Sequence, residues 1–202
     1  FMGNFFSTTV TDNNSYRKYG WIRDTPDQHD HIYKLKDLDD EQFYSTIVDL
    51  RPKCPGVYNQ GKLGSCTANA IGGAYEFNEI KQDEDTIFIP SRLFIYYNER
   101  EIENTVKYDS GANIRDGIKS INRIGVCPED KWAYDISKFA QKPPEECYKL
   151  AKSHISVKYQ RLNQSVTHLI NCISSGFPFV FGFGVYESFE SEEVAKTGIM
   201  PI

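Results

Sequence analysis

The chain has 202 residues, of which 28 are acidic and 23 are basic, so its formal net charge at pH 7 is −5. Hydrophobic residues make up 40% of the chain and aromatic residues 14%, which is typical of a globular protein with its own core. The negative charge and the lack of a dense basic cluster argue against a nucleic-acid partner, and no run approaches the roughly 18 apolar residues of a membrane-spanning helix.

Residues 1–45 form a polar stretch without the hydrophobic period that would predict a helix or a strand. Its aromatic residues include Trp21 and Tyr33, and an acidic group at residues 37–41 indicates a solvated linker. We interpret the stretch as an N-terminal extension, in which Trp21 or Tyr33 is the candidate anchor for a contact with the rest of the chain.

The first residues also hold a lipidation pattern. If Met2 is the true start, the segment Met2–Ser7 (Met-Gly-Asn-Phe-Phe-Ser) fits the signal for N-myristoylation. A single acyl chain gives only marginal membrane binding, so the pattern predicts no more than a weak N-terminal lipid anchor.

Three helices are predicted between residues 46 and 150. The first runs from Cys66 to Lys81, the second from Pro90 to Arg100, and the third from Asn113 to Ile124, where Gly125 ends it. The first helix has one apolar stripe at helical spacing, formed by Ala70, Ala74, Phe77 and Ile80. This part of the chain is therefore expected to be a helical unit.

Residues 151–202 are expected to begin a β-rich unit. His154–Leu162 and Phe177–Tyr186 are rich in Val, Phe and Tyr, which favours strands, and a short helix is predicted between them over Ser165–Ser175. The second strand has apolar residues on both faces, as in the wall of a barrel. The predicted fold class is α+β.

One segment has the features of a thiol nucleophile at the start of a helix. It runs from Gln60 to Ala70 and reads Gln-Gly-Lys-Leu-Gly-Ser-Cys-Thr-Ala-Asn-Ala. Cys66 opens a predicted helix, where the helix dipole and free backbone N–H groups favour the thiolate. Gln60 lies six residues upstream, where its amide could join the Cys66 N–H in stabilising an oxyanion. A glycine turn before a structural cysteine would explain Gly61 and Gly64, but it would leave Gln60 without a role.

This segment resembles the active-site signature of the papain-like (C1) cysteine peptidases, in which a glutamine at this spacing supplies the oxyanion donor. Leu63 and Thr67 replace the cysteine and the aromatic residue of the usual pattern. Both replacements resemble a divergent branch of the family from microbes and large DNA viruses. Four further segments are similar to this family or branch: residues 48–51, 90–100, 109–112 and 125–129.

The resemblance covers residues 46–202 and implies a two-lobed fold. Residues 46–150 would form the helical lobe with the nucleophile, and residues 151–202 would begin a β-barrel lobe that is incomplete within this sequence. Residues 1–45 would then be either a pro-segment that lies along the cleft and keeps a zymogen inactive, or a simple structural arm.

The resemblance also suggests which residues contact a substrate. Gly111 would pair its backbone with the substrate like an added strand, although a helix N-cap turn explains the same residue equally well. Gly64, Ser65 and Ser110 are the other candidate substrate-binding residues.

A peptidase of this family also needs a histidine base and an asparagine, about 130 to 150 residues after the cysteine. The chain has four histidines, none of them in that window: His29, His31, His154 and His168. Gly176–Phe183 resembles the strand that precedes the family's histidine, so we expect the catalytic histidine and asparagine beyond Ile202. The activity of residues 1–202 alone is left open.

The four histidines have simpler interpretations. His154 opens a predicted strand and His168 lies in a predicted short helix, so each is expected to be a structural or surface residue. His29 and His31 are separated by one residue and make only half a metal site. We therefore expect no metal site and no cofactor.

The chain has five cysteines, Cys54, Cys66, Cys127, Cys147 and Cys172. This number is compatible with one free nucleophile and two disulfides, and it is equally compatible with five reduced thiols. Many secreted members of the family have a cysteine where this chain has Leu63. Its loss favours a reducing compartment, cytoplasmic (or the virion, if the protein is viral) rather than secreted.

The predicted function is that of a papain-like cysteine endopeptidase acting on polypeptide substrates through a Cys66 acyl-enzyme, with Gln60 as oxyanion donor. One alternative is a non-catalytic papain-fold module that binds a peptide or a partner. A transglutaminase-like acyl transfer is a weaker alternative, because those proteins lack the pattern from Gln60 to Cys66.

Overall fold

Helices dominate the part of the chain that the computed structural model describes, which comprises residues 18–36, 47–82, 87–156 and 158–200. The α-helices are α1 (Cys66–Gln82), α2 (Arg92–Ile102), α3 (Ile114–Arg123), α4 (Glu145–Ala151), α5 (Val166–Ser174) and α6 (Glu192–Thr197). Short 3-10 helices span Arg51–Lys53, Ile136–Lys138 and Glu187–Glu190. Two strands, β1 (Trp21–Ile22) and β2 (Ala112–Asn113), form a small parallel sheet.

The three helices predicted for residues 46–150 are confirmed as α1, α2 and α3, and so is the short helix α5. Helix α2 is the buried centre, because its residues 92–100 are all inaccessible or nearly so. Ser91 caps it by accepting a hydrogen bond from the Phe94 N–H at 3.1 Å. Helices α1 and α3 pack on this central helix and on each other.

Arg100 ties the centre of this unit to the loop that follows α2. Its side chain is fully buried and its guanidinium donates to the carbonyl oxygens of Val106 and Tyr108 at 2.9 Å, and to that of Phe139. Buried guanidinium groups need such acceptors, because an unpaired buried charge is costly. The loop 103–111 is therefore fixed from inside the core.

The predicted stripe on α1 is wrong in most of its positions. Ala70 is exposed and Ala74 and Ile80 are half-buried, whereas Thr67, Ala68, Ile71 and Phe77 are buried. Alanine is small enough to lie on either face of a helix. The side that packs on α2 and α3 is instead determined by the larger Ile71 and Phe77.

The two strands predicted for the C-terminal part are not formed within the described residues. Phe177–Tyr186 has no ladder partner there, and His154–Leu162 makes only one isolated bridge, between Arg161 and Ile32. High β-propensity alone does not make a strand, because the ladder hydrogen bonds need a neighbour. The α+β class nevertheless holds.

Residues 18–36, called the N-terminal arm below, lie against both parts of the chain. The arm pairs with the start of α3 through β1 and β2, in the register Trp21↔Ala112 and Ile22↔Asn113. At its other end, the Tyr33 hydroxyl donates to Asn171 of α5 at 2.9 Å. The remainder of the predicted N-terminal extension, including the lipidation pattern at Met2–Ser7, lies outside the described residues.

A partly buried ion pair holds the middle of this arm in place. Asp30 accepts two hydrogen bonds from Arg115 of α3, at 2.9 and 2.8 Å, and a third from Arg161 at 2.5 Å. The hydrogen bonds from Arg115 and then from Arg161 lower the pKa of Asp30 to about 2. One carboxylate thus joins the arm to both α3 and the segment before α5.

Replacing Asp30 with asparagine should loosen the arm. We expect Asp30→Asn to raise hydrogen–deuterium exchange in residues 22–33 at neutral pH, because the variant cannot form the charged bidentate pair with Arg115. The difference should shrink as pH falls from about 4 towards 2. A carboxyl whose pKa is lowered by folding stabilises the native state at pH values above its unfolded pKa, and this stabilisation is lost as pH falls to the folded pKa.

The matched control for this experiment is Asp130→Asn, whose carboxylate pairs with Lys131 and is 69% exposed. This change should leave exchange in the arm unchanged. Equal hydrogen–deuterium exchange of the arm in Asp30→Asn and in the unaltered chain would contradict the assignment of Asp30 as the residue that holds the arm in place.

Candidate active site

Cys66 is the first residue of α1 and is half-buried, with a free thiol. Burial raises the pKa of the Cys66 thiol, while hydrogen bonds from the backbone N–H groups of Gly20 and Thr67 act to lower it. The Gly20 N–H, which belongs to the N-terminal arm, thus lies near enough to the thiol to act on its pKa. A helix N-terminus with N–H groups directed at the sulfur is the environment that stabilises a thiolate once the thiol is deprotonated.

Gln60 lies in the turn that leads to this helix. Asn59 shapes the turn, because its side-chain oxygen accepts from the Gly61 N–H at 2.9 Å and Gly61 has a positive φ of 61°. The Gln60 amide donates to the carbonyl oxygens of Lys18 at 3.1 Å and Leu63 at 3.0 Å. The group predicted to hold an oxyanion therefore already holds a peptide carbonyl from the arm.

Gly64 and Gly111 form the two walls of a narrow cleft. Gly20 of the arm lies between them, so closely that a Cβ on Gly20 would stand 1.8 Å from the Gly64 oxygen and 2.9 Å from the Gly111 Cα. Gly111 has a φ of 75°, and its N–H donates to the Tyr96 hydroxyl at 3.1 Å. The cleft accommodates a bare backbone in extended conformation and nothing wider.

The two predicted serine contacts lie differently. The Ser65 side chain is fully buried and bonds to the Tyr134 hydroxyl and to Asn69, so any contact of Ser65 with a substrate would use its backbone. The Ser110 hydroxyl is turned to Thr105 at 2.9 Å and to the Gly111 carbonyl at 3.0 Å. The structure brings Cys66, Gln60 and the two glycines together, and the substrate roles remain predictions.

Each of the four histidines has a partner away from Cys66. His29 pairs with Asp27, His31 packs on Tyr159, His154 packs on Phe88, and His168 pairs with Ser165. Among the described residues there is no group of three ligating side chains that could hold a metal ion, and no described helix is long and apolar enough to cross a membrane. All five cysteines are free thiols.

Sequence reasoning missed Asp109, which lies beside the candidate substrate residues Ser110 and Gly111. Its carboxylate accepts from the Gly64 N–H at 3.0 Å, from the Tyr96 hydroxyl, and from the Lys18 ammonium at 2.7 Å. The position next to Ser110 was the only available signal, because the partner Lys18 is 91 residues away in sequence.

Sequence reasoning also missed Glu99 of α2, which supports the first turn of α1. Its side chain is fully buried, accepts from the Thr67 hydroxyl at 2.7 Å, and has its second oxygen unpaired within the described residues. Burial raises the pKa of Glu99 well above its usual value, which favours the neutral carboxyl. A neutral Glu99 matters to Cys66, because a carboxylate here would raise the pKa of the thiol.

Glu99→Gln should therefore make stability less dependent on pH. A raised pKa means that the native state loses stability, relative to the unfolded chain, as pH rises above the ordinary value of 4.5. The unfolding free energy of Glu99→Gln minus that of the unaltered chain should thus rise with pH, by about 1.4 kcal/mol per pH unit until Glu99 itself ionises. Urea unfolding at a series of pH values measures this slope.

The matched control is Glu101→Gln on the same helix, at an exposed position. Its unfolding free energy should follow that of the unaltered chain without an added slope. A Glu99→Gln difference that stays flat with pH would show that Glu99 is ionised in the native state, and would contradict its assignment as a neutral carboxyl.

Comparisons with known proteins bear on the family to which the chain belongs. No family model matches the chain. The chain is 46% identical over 207 residues to an uncharacterized peptidase C1-like protein of Acanthamoeba polyphaga mimivirus, covering 91% of this chain and 67% of that protein. It is also similar to the crystal structure of xylellain, a cysteine protease from Xylella fastidiosa, with a TM-score of 0.79 and 41% identity over 96% of this chain and 76% of that one.

Both relatives are cysteine peptidases or peptidase-like proteins, and the first comes from a large DNA virus. They agree with the resemblance carried by the segment from Gln60 to Ala70 and by the helices that follow it. The identity and the coverage are high enough to assign the family. The chain belongs to the papain-like (C1) cysteine peptidases, in the divergent branch found in large DNA viruses and microbes.

Proposed function

We propose that the protein is a cysteine endopeptidase that hydrolyses peptide bonds through Cys66, and that its N-terminal arm holds it as a zymogen. One observation carries the proposal: the candidate nucleophile and the candidate oxyanion donor both bind the backbone of one extended peptide segment. Cys66 receives the Gly20 N–H, and Gln60 donates to the Lys18 carbonyl.

In the proposed reaction, the Cys66 thiolate attacks the carbonyl carbon of the substrate and forms a carbon–sulfur bond. The oxygen then bears the negative charge, which the Gln60 amide and the Cys66 N–H stabilise. An imidazole of the kind that this family uses protonates the amine as it leaves, so that a thioester remains. Water attacks this thioester and gives one proton to the imidazole, and the carbon–sulfur bond breaks to return the thiolate. The product leaves as a carboxylic acid, which loses its proton to solvent.

The zymogen proposal is supported by where the arm lies. Gly20 fills the slot between Gly64 and Gly111, so a substrate backbone cannot enter while the arm is in place. The sulfur faces the N–H of Gly20, whereas attack requires a carbonyl carbon at that place. This geometry favours the arm as an inhibitor over the arm as a substrate.

The arrangement predicts that one methyl group on Gly20 opens the cleft. Gly20→Ala places a Cβ 1.8 Å from the Gly64 oxygen, a distance that no backbone tolerates, so the arm has to leave the slot. We expect the rate of Cys66 alkylation by an epoxysuccinyl inhibitor to rise at least about tenfold, because the open state becomes the main one. Intact mass against time, with mapping of the adduct by digestion, measures the rate.

Gly56→Ala is the control, since a Cβ at Gly56 meets nothing within 4 Å. It should react at the rate of the unaltered chain. An unchanged rate in Gly20→Ala would contradict the blocking role of the arm. Absence of any Cys66 adduct in Gly20→Ala would instead contradict the peptidase and favour the non-catalytic peptide-binding module.

The oxyanion role of Gln60 has its own test. In the active enzyme, Gln60→Ala should lower kcat on a peptide substrate by roughly 10²–10³-fold with little change in KM, because the amide acts on charge that develops only in the transition state. Gln141→Ala, at an exposed position away from the cleft, is the control. A kcat within a few fold of normal for Gln60→Ala would overturn the assignment.

A further inference from the structure

Lys18 contacts the candidate active site through both its main chain and its side chain. Its carbonyl oxygen lies on the Gln60 amide at 3.1 Å, and its ammonium donates to the Asp109 Oδ2 at 2.7 Å and also to the Asp109 carbonyl. In a peptidase with Gln60 as oxyanion donor, the residue whose carbonyl binds Gln60 stands where the acyl residue of the cleaved bond would be. Lys18 thus shows where the side chain of that residue can go.

Asp109 is held in the cleft by groups other than Lys18. Its Oδ1 accepts from the Gly64 N–H at 3.0 Å and from the Tyr96 hydroxyl, and its side chain is only 18% exposed. Tyr96 is itself fully buried and bound to the Gly111 N–H. Oδ2 accepts the Lys18 ammonium and makes only one further, longer hydrogen bond, from the Gly64 N–H at 3.2 Å, so it is the oxygen available to a cation in the cleft.

The contacts of the loop explain why this carboxylate is held in place. Arg100 binds the carbonyl oxygens of Val106 and Tyr108 from the core side, immediately before Asp109. The carboxylate is therefore oriented by the scaffold, and a cation that pairs with it does not have to order it first. Such preorganised, partly desolvated carboxylates bind ammonium and guanidinium groups more strongly than exposed ones.

We infer that Asp109 determines substrate specificity, by selecting lysine or arginine at the residue whose carbonyl Cys66 attacks. The inference rests on the proposed peptidase function and names its substrate class. In the closed chain, the Lys18 ammonium occupies this subsite. An acidic side chain at the same position would be repelled, and a neutral side chain would leave the carboxylate without its cation.

The alternative is that the ion pair of Lys18 and Asp109 only fastens the arm. Reagents that label Cys66 without being cleaved distinguish this alternative from a role of Asp109 in substrate specificity. Two peptidyl acyloxymethyl ketones would be compared, identical except for lysine or acetyl-lysine at the residue that carries the electrophile. The thiolate displaces the carboxylate from either reagent to form a thioether, so labelling needs no peptide hydrolysis.

The measured quantity is the ratio of the two labelling rates at Cys66 within each variant, in the Gly20→Ala background. We expect lysine to be preferred by about 10- to 100-fold, the range for a hydrogen-bonded charged pair. Asp109→Asn should bring the ratio to within about threefold of one, because the amide can still accept from Gly64 and Tyr96 but carries no charge. Asp109→Lys should favour a third reagent with glutamate.

Asp130→Asn, which removes an exposed carboxylate elsewhere, should keep the full preference for lysine. A ratio near one in the parent, or an undiminished ratio in Asp109→Asn, would overturn the inference. Because each ratio is taken within one variant, a partly destabilised protein still gives a valid result. Selective labelling without turnover of peptides would contradict the peptidase proposal alone and leave the role of Asp109 standing.

Discussion

The width of the slot between Gly64 and Gly111 is the constraint on which the rest of the site depends. Both walls are backbone, and Gly20 fits between them only because it has no side chain. Any extended peptide held there has its backbone groups presented to Cys66 on one side and to Gln60 on the other. A side chain at Gly111 would close the slot, because its Cβ would stand 1.9 Å from the Gly20 oxygen.

Buried polar groups keep these walls in place. Arg100 fixes the loop that leads to Asp109 and Gly111, and Tyr96 joins the two by bonding to both. Glu99 supports the first turn of α1 through Thr67. In a papain-like protein of the usual pattern an aromatic residue stands at the position of Thr67, and here the hydroxyl gives the buried Glu99 its partner. The scaffold is therefore organised by hydrogen bonds to the central helix α2 as well as by apolar packing.

The candidate nucleophile and the turn before it could be predicted from the sequence because all their parts are local. Gln60, the glycines and Cys66 lie within seven residues, and the turn and the helix start are encoded there. Asp109 and Lys18 could not be paired, because their contact depends on how the arm crosses the cleft. The predicted strands failed because a strand depends on a neighbour, and Phe177–Tyr186 has none among the described residues. The α1 stripe failed because alanines do not show which side faces the core.

The central claim is that Cys66 is the activated thiol of the chain, and the selectivity of one reagent among five thiols tests it most directly. Cys54 is exposed and Cys66 is half-buried, so a reagent that follows accessibility alone labels Cys54 first. Treatment of the Gly20→Ala variant, in which the arm has left the slot, with an epoxysuccinyl inhibitor, followed by digestion and mass analysis, should give a single adduct on Cys66 and leave Cys54 unmodified. Labelling of Cys54 before or alongside Cys66 would contradict the account.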